Sequence, residues 1–137
     1  MRNWYQLTTL KQSVYISLVC ALLGSIQMAL FLPDGVSCAD GSSSLLDGIL
    51  FFMPVQLLIV FLLGLLNKEL RTYVIPAFLL LFWLYINKHE FVDRKACWST
   101  FSEAEVLKVV LLKSALTCTV CLLPLYFFYK KFWIKYS

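Results

Sequence analysis

Most of this 137-residue chain consists of four long apolar runs separated by three short polar breaks. The runs are Ser13–Leu32, Leu45–Leu66, Tyr73–Ile86 and Val109–Tyr129. An apolar stretch of about 18 residues or more is typical of a helix that spans a lipid bilayer. The third run is shorter, but Thr72 and Asn87-Lys88 can extend it into the headgroup region. The pattern therefore predicts four transmembrane helices.

The composition argues against a soluble globule. The chain is 61% hydrophobic and 15% charged, whereas soluble domains are about half apolar and one quarter charged. A small globule also has too little interior to bury four helices that are apolar on all sides. We therefore predict an all-α polytopic membrane protein, with residues 1–137 as one four-helix transmembrane domain. Its spans are predicted at about 13–32, 45–66, 72–88 and 107–129, and its outer loops at 33–44 and 89–102.

The distribution of charge predicts the orientation of these spans. Lys and Arg residues near span ends resist translocation across the membrane. If the N-terminus is cytoplasmic, seven of the twelve basic residues lie on the inner side, and seven of the eight acidic residues lie on the outer side. We therefore expect an N-in, C-in topology with both termini in the cytoplasm.

Two short motifs predict where helices begin. Ser102 and Glu105 match the capping box, in which a serine hydroxyl and an acidic side chain satisfy free backbone N–H groups of the first turn. Ser44 and Asp47 have the same spacing, and Asp47 also suits the positive end of the helix dipole. The second helix is therefore expected to start near Leu45 and the fourth near Glu103.

The five cysteines fall into two groups. Cys38 and Cys97 lie in the two predicted outer loops, where an oxidising compartment favours a disulfide, so we predict this pair, with two free thiols as the alternative. Cys118 and Cys121 form a C-x-x-C sequence, which suggests redox chemistry. However, they lie near the middle of the fourth span, where apolar surroundings make a thiol inert, so packing is the preferred interpretation. Cys20 lies in the middle of the first span.

A few polar or small residues inside the spans are candidates for contacts with a partner. Lys113 is costly within a membrane unless it snorkels to the headgroups or faces the bundle, where it could meet Asp47, Gln56 or Gln27. Small residues at four-residue spacing let helices approach closely. The first helix has such a predicted packing face, formed by Ser17, Ala21 and Ser25.

Other classes of chemistry lack support in the sequence. His89 and Glu90 are expected in a solvated loop, because one histidine beside scattered acids is a poor metal site. We find no nucleophile–base pair and no glycine loop for phosphate binding. We therefore expect no enzymatic activity, no cofactor, no metal and no nucleic-acid partner.

From about Met53 to the C-terminus, the chain contains proline-bearing spans, a basic turn between them, a polar loop that follows and a basic tail. These elements are Met53-Pro54, Asn67-Lys68-Glu69-Leu70, Ile75-Pro76, Asn87-Lys88-His89-Glu90-Phe91, Leu123-Pro124 and Lys130-Lys131. Together they resemble the motifs of the immunity proteins that protect producer cells from pore-forming colicins. Phe91 is aromatic where that family has an aliphatic residue, and the two loop cysteines are not part of its pattern.

The resemblance implies a bacterial inner-membrane protein that meets the hydrophobic helices of a pore-forming bacteriocin in the bilayer and stops the channel from opening. Its partners would be the lipid bilayer and a membrane-active toxin or another membrane protein. Two alternatives remain open at this point. A small transporter or channel subunit would expose Lys113, Gln27 and Gln56 to water in one bundle. A membrane thiol oxidoreductase would use its cysteines on a dithiol substrate.

Overall fold

The computed structural model describes residues 2–32 and 35–134, which are helical for most of their length. Pro33 and Asp34, the first residues of the predicted first outer loop, lie outside the described residues. The helices are α1 (Arg2–Phe31), α2 (Leu45–Gly64), α3 (Lys68–Arg94), α4 (Glu103–Val109) and α5 (Ala115–Ile134). A 3₁₀ turn (Ala96–Trp98) follows α3, and a π-helical segment (Val110–Ser114) joins α4 to α5.

Within the described ranges, four helical stretches are long and apolar enough to cross a membrane, as the apolar runs predict. They are Thr9–Phe31, Leu45–Gly64, Lys68–Trp98 and Glu103–Lys131. The last stretch is one rod made of α4, the π segment and α5. This all-helical organisation fits an integral membrane protein.

Both predicted capping boxes are present. The Ser44 side chain accepts a hydrogen bond from the backbone N–H of Asp47, whose carboxylate accepts from the backbone N–H of Ser44 at 2.7 Å. Ser102 and Glu105 make the same reciprocal pair at the start of α4. These local bonds satisfy N–H groups that have no partner within a helix, and so they determine where α2 and α4 begin.

Helix α3 packs against the other helices along one narrow face. Its buried residues recur at every fourth position from Arg71 to Asn87, and the row of buried residues continues to Arg94. They include Arg71, Ile75, Leu79, Trp83, Asn87, Glu90 and Arg94. Residues four apart lie on the same side of a helix but drift slowly around it. The three-residue steps from Trp83 to Ile86 and from Asn87 to Glu90 turn the row back, so the buried residues form one stripe facing the bundle. The opposite face carries exposed apolar side chains such as Tyr73, Leu81 and Tyr85, as expected where a helix contacts lipid.

Helix α3 is longer than the sequence predicts. The predicted outer loop 89–102 begins instead as six further helical residues, 89–94, and only residues 95–102 lie between α3 and α4. The physical reason is an i,i+4 ion pair within this last part, in which Arg94 Nε donates to Glu90 Oε2 at 2.7 Å. This pair and the burial of Phe91 favour helix where the charged sequence alone suggests a loop.

The predicted disulfide between Cys38 and Cys97 is present and joins Cα atoms 6.2 Å apart. It connects the loop between α1 and α2 to the 3₁₀ turn after α3. We call this end of the bundle the disulfide end. We call the opposite end, where the turn 65–67 joins α2 to α3, the hairpin end.

Alkylation should distinguish this pairing from two free thiols. In denatured, unreduced protein we expect three reactive cysteines, namely Cys20, Cys118 and Cys121, and five after reduction. Mass spectrometry of the alkylated chain provides the measurement. Labelling of Cys38 and Cys97 without a reductant would contradict the pairing.

Candidate functional site: a buried polar column and the disulfide end

Five polar side chains from four different helical segments meet inside the bundle, and we call this group the polar column. Its members are Gln27 (α1), Gln56 (α2), Trp83 and Asn87 (α3) and Ser114 (π segment). Each is at most 1% exposed to solvent. In a low-dielectric interior such groups are stable only if they bond to one another.

The layer of the column nearer the hairpin end is centred on Gln56. Its Oε1 accepts from Trp83 Nε1 at 2.7 Å, and its Nε2 donates to the backbone carbonyl of Cys20 at 2.7 Å. Gly24 makes room for this amide, because a Cβ at that position would lie 2.7 Å from Gln56 Oε1. One glutamine therefore connects α1, α2 and α3.

The second layer is centred on Asn87. Its Nδ2 donates to Gln27 Oε1 at 2.8 Å and to Ser114 Oγ at 2.5 Å, while Gln27 Nε2 donates back to Asn87 Oδ1 at 3.3 Å. Cys118 Sγ lies 3.6 Å from Gln27 Oε1 and makes a weak bond to it. This layer connects α1, α3 and the fourth rod.

The π segment helps to supply Ser114 to this layer. An α-helix that widens by one residue per turn changes the direction of the side chains that follow it, and such segments are frequent at functional sites. Here Ser114 becomes fully buried while the neighbouring Lys113 is exposed. The structure therefore separates two adjacent polar residues into an interior role and a surface role.

The disulfide end is organised by a buried ion pair. The Arg94 side chain is 2% exposed and that of Glu90 is 7% exposed. Arg94 Nε donates to Glu90, and Arg94 Nη1 donates to the carbonyl oxygens of Gly35 and Ser43, each at 2.9 Å. A Cβ on Gly48 would lie 2.8 Å from Glu90 Oε2, so glycine is needed there for α2 to approach. Arg94 therefore ties the first loop to α3, next to the disulfide.

Asp40 shapes the exposed part of the same loop. It accepts bonds from the Ser43 hydroxyl and from the backbone N–H groups of Ser43 and Ser42. Because these bonds stabilise the carboxylate, they lower the pKa of Asp40 to about 2. The carboxylate thus stays charged and keeps the turn in place well below neutral pH.

The structure brings together two of the three intramembrane polar candidates predicted from the sequence. Gln27 and Gln56 both belong to the polar column, in adjacent layers. Lys113 lies on the exposed surface of the fourth rod, apart from both glutamines. This position suits a lysine that snorkels towards the headgroups, whereas the bundle-facing interpretation requires a buried side chain.

The predicted packing face on α1 overlaps the observed one at a single position. Ser17 is buried, but Ala21 and Ser25 are only half-buried. Residues spaced strictly by four drift by about 40° per step around a helix of 3.6 residues per turn. The observed face alternates steps of three and four and therefore stays on one side: Ser13, Ser17, Cys20, Gly24 and Gln27.

The cysteines of the spans contribute to the apolar core. Cys20, Cys118 and Cys121 are buried free thiols that pack with Val60, Leu125 and their neighbours. Cys118 also touches the Asn87 layer. The C-x-x-C sequence is thus placed in the interior, away from the disulfide end.

The candidates predicted from the sequence do not include four residues that organise the interior, namely Arg71, Trp83, Asn87 and Arg94. Arg71 is buried at the hairpin end, where it donates to the Gly64 carbonyl at 3.0 Å and to Gln12 Oε1 at 3.1 Å. The four-residue spacing from Arg71 to Asn87 is a signal that could have found most of them, because it places polar and apolar residues on the same helical face.

No protein-family model matches the chain, and neither a curated protein nor a solved structure matches it.

Replacing Asn87 with leucine should destabilise the bundle. The change removes the partners of Gln27 and Ser114 and leaves both groups buried, at a cost of about 1–3 kcal/mol in the free energy of unfolding. Titration of detergent-solubilised protein with a denaturing detergent, followed by circular dichroism, measures this effect. The double variant Gln27→Leu/Asn87→Leu should lose less than the sum of the two single changes, because the residues share one network.

Thr119→Val provides the matched control. Thr119 is exposed and, among the residues that the structure describes, its hydroxyl bonds to the Ala115 carbonyl of its own helix alone, at 2.7 Å. We therefore expect a change within about 0.5 kcal/mol. Equal losses for Asn87→Leu and Thr119→Val would refute a special role for the polar column.

Proposed function

We propose that this protein protects a bacterial cell by binding a pore-forming bacteriocin within the inner membrane and keeping its channel closed. In this proposal both termini are cytoplasmic and the disulfide end faces the outside of the inner membrane. The protein acts by contact and carries out no chemical reaction.

The observation that carries the proposal is the complete burial of the polar column. Gln27, Gln56 and Asn87 have no exposed surface and bond to one another, to Trp83, to Ser114 and to the chain. A transporter site needs polar groups that water or a solute can reach. Groups that are closed inside the bundle instead hold its shape and leave its surface for a protein partner.

The surface towards the surrounding lipid is suited to helix–helix contact. Each spanning rod presents large apolar side chains on its outer face, such as Leu22, Leu58, Leu81 and Leu116, which are 59–69% exposed. Association within a bilayer depends on van der Waals packing between helices, and an apolar surface on the outside of the bundle is available for such packing. The hydrophobic helices of a pore-forming toxin are partners of the matching kind.

We also propose that a toxin arriving from outside first contacts the loops of the disulfide end, and the structure of this end supports that step. The two loops are joined by the disulfide, by the Arg94 bonds and by a bond from Trp98 Nε1 to the Val36 carbonyl at 3.1 Å. Trp98 is nevertheless 63% exposed, beside exposed Val36. A rigid surface with an exposed aromatic residue loses little entropy on binding and is typical of contact hot spots.

The resemblance to colicin immunity proteins points to the same function. Its segment Asn87–Phe91 places Asn87, Glu90 and Phe91 in the interior and Lys88 and His89 on the surface. The segment therefore combines a structural role with an exposed basic pair at the disulfide end.

A survival assay tests the proposal. Sensitive bacteria that express the chain are exposed to a panel of pore-forming bacteriocins and, as a control, to nuclease bacteriocins that kill without opening a pore. We expect at least one pore-forming member to lose killing activity by tenfold or more in titre, with no change for the nucleases. No protection against any pore-forming member, or equal protection against both classes, would contradict the proposal.

Matched variants locate the contact. Trp98→Ala should reduce protection, because it removes the exposed aromatic residue of the disulfide end. Tyr73→Ala, a comparably exposed aromatic residue near the hairpin end (78% exposed), should leave protection intact. Both variants must reach the membrane in equal amounts, as measured by immunoblot of membrane fractions.

A further inference from the structure

A cleft of about 960 Å³ opens at the disulfide end between the start of α2 and the end of α3. Its lower wall is aromatic and its upper rim is charged. The aromatic residues are Phe51, Phe52 and Tyr85, and the charged or titratable residues of the rim are Asp47, Lys88, His89 and Asp93. The Glu90–Arg94 pair also lines the cleft, and its two charges neutralise each other.

The position of the cleft matches the level of the lipid headgroups. Phe51 lies one helical turn beyond Asp47 in α2, and Tyr85 lies about one turn before Lys88 and His89 in α3, so the aromatic wall is about 5 Å deeper than the charged rim. Aromatic rings below and charges above are the arrangement found where hydrocarbon gives way to headgroups.

Three charged side chains of the rim, those of Asp47, Lys88 and Asp93, form no ion pair among the residues that the structure describes, whereas His89 Nδ1 lies 3.7 Å from Glu90 Oε1. Asp47 uses Oδ2 to cap α2, and Asp93 uses Oδ1 to accept from the Ala39 N–H at 3.2 Å. The other oxygen of each carboxylate has no hydrogen-bond partner among the residues that the structure describes. The Lys88 ammonium likewise forms no ion pair within that part of the chain. The carboxylates of Asp47 and Asp93 and the ammonium of Lys88 thus line one cleft without forming ion pairs with one another.

From this arrangement we infer that the cleft binds the headgroup of a membrane phospholipid that carries both a phosphate and a primary ammonium, as phosphatidylethanolamine does. Lys88 pairs with the phosphate, and the free oxygens of Asp47 and Asp93 accept hydrogen bonds from the ammonium. The glycerol and the first part of the acyl chains lie against Phe51 and Tyr85.

This chemistry distinguishes among common headgroups. A choline headgroup has a quaternary ammonium without N–H donors, so it offers the two carboxylates no hydrogen bonds. A glycerol headgroup has no cation at all and places a phosphate beside two uncompensated carboxylates. Of these three headgroups, only ethanolamine offers both a phosphate for Lys88 and ammonium N–H donors for the two carboxylates.

Native mass spectrometry of the delipidated full chain in detergent tests the inference. The protein is titrated with phosphatidylethanolamine, phosphatidylcholine or phosphatidylglycerol of identical acyl chains. We expect phosphatidylethanolamine to bind about tenfold more tightly than the other two, the usual effect of one charge-assisted hydrogen bond. Equal binding of the three lipids would overturn the inference, as would competition by millimolar inorganic phosphate, which would identify a site for free phosphate.

Two variants and two matched controls assign the residues. Lys88→Gln and Asp93→Asn should each lower phosphatidylethanolamine binding about tenfold; Asp93→Asn keeps the oxygen that accepts from Ala39. Lys113→Gln and Glu103→Gln remove exposed charges outside the cleft and should bind lipid like the unmodified chain. Equal binding by all four variants would overturn the inference. The comparison among lipids uses the unmodified protein, and it also does not depend on any bacteriocin, so it can fail separately from the proposed function.

Discussion

The structure depends on one constraint, which is that a polar group within an apolar bundle must find its partner inside the bundle. Gln56 and Asn87 meet this constraint with bonds to two neighbouring segments each. Apolar packing between helices of similar hydrophobicity is not directional. Many rotations of the four helices about their own axes would therefore have similar energy. The two amide layers select one rotation, because any other leaves amides unsatisfied at a cost of kilocalories per mole.

Helix α3 carries this organisation from one end of the bundle to the other. Arg71 and Arg94 are both buried and are separated by about 35 Å along the helix, close to the thickness of a bilayer core. Each guanidinium links α3 to another part of the chain, Arg71 to Gly64 and Gln12, and Arg94 to Gly35 and Ser43. The disulfide then fixes the loops beside Arg94. Rigidity at this end is what both the proposed toxin contact and the proposed lipid cleft require.

Features that depend on neighbouring residues could be predicted from the sequence, whereas most features that depend on distant partners could not. The apolar runs and the capping boxes at Ser44 and Ser102 act locally, so the helices and their starts could be predicted. The Cys38–Cys97 pair followed from both cysteines lying on one side of the predicted membrane. The end of α3 could not be predicted, because Glu90 and Arg94 look like loop charges until the first loop supplies carbonyl partners for Arg94. Likewise, the sequence places Lys113 and Ser114 side by side in an apolar run without showing which of them faces the bundle; in the structure Ser114 is buried and Lys113 is exposed.

The central claim is that lipid surrounds a bundle whose polar groups are closed inside it, and the two faces of α3 test it most directly. Spin labels placed singly at residues 73, 77, 81 and 85, on the exposed face, and at residues 75 and 79, on the buried face, are compared in reconstituted bilayers. At residue 81 we expect strong relaxation of the label by oxygen, which partitions into lipid, and weak relaxation by a water-soluble nickel complex. At residues 75 and 79 we expect labels that are shielded from both reagents. Strong relaxation by the nickel complex at residue 81, or at 75 and 79, would contradict the central claim.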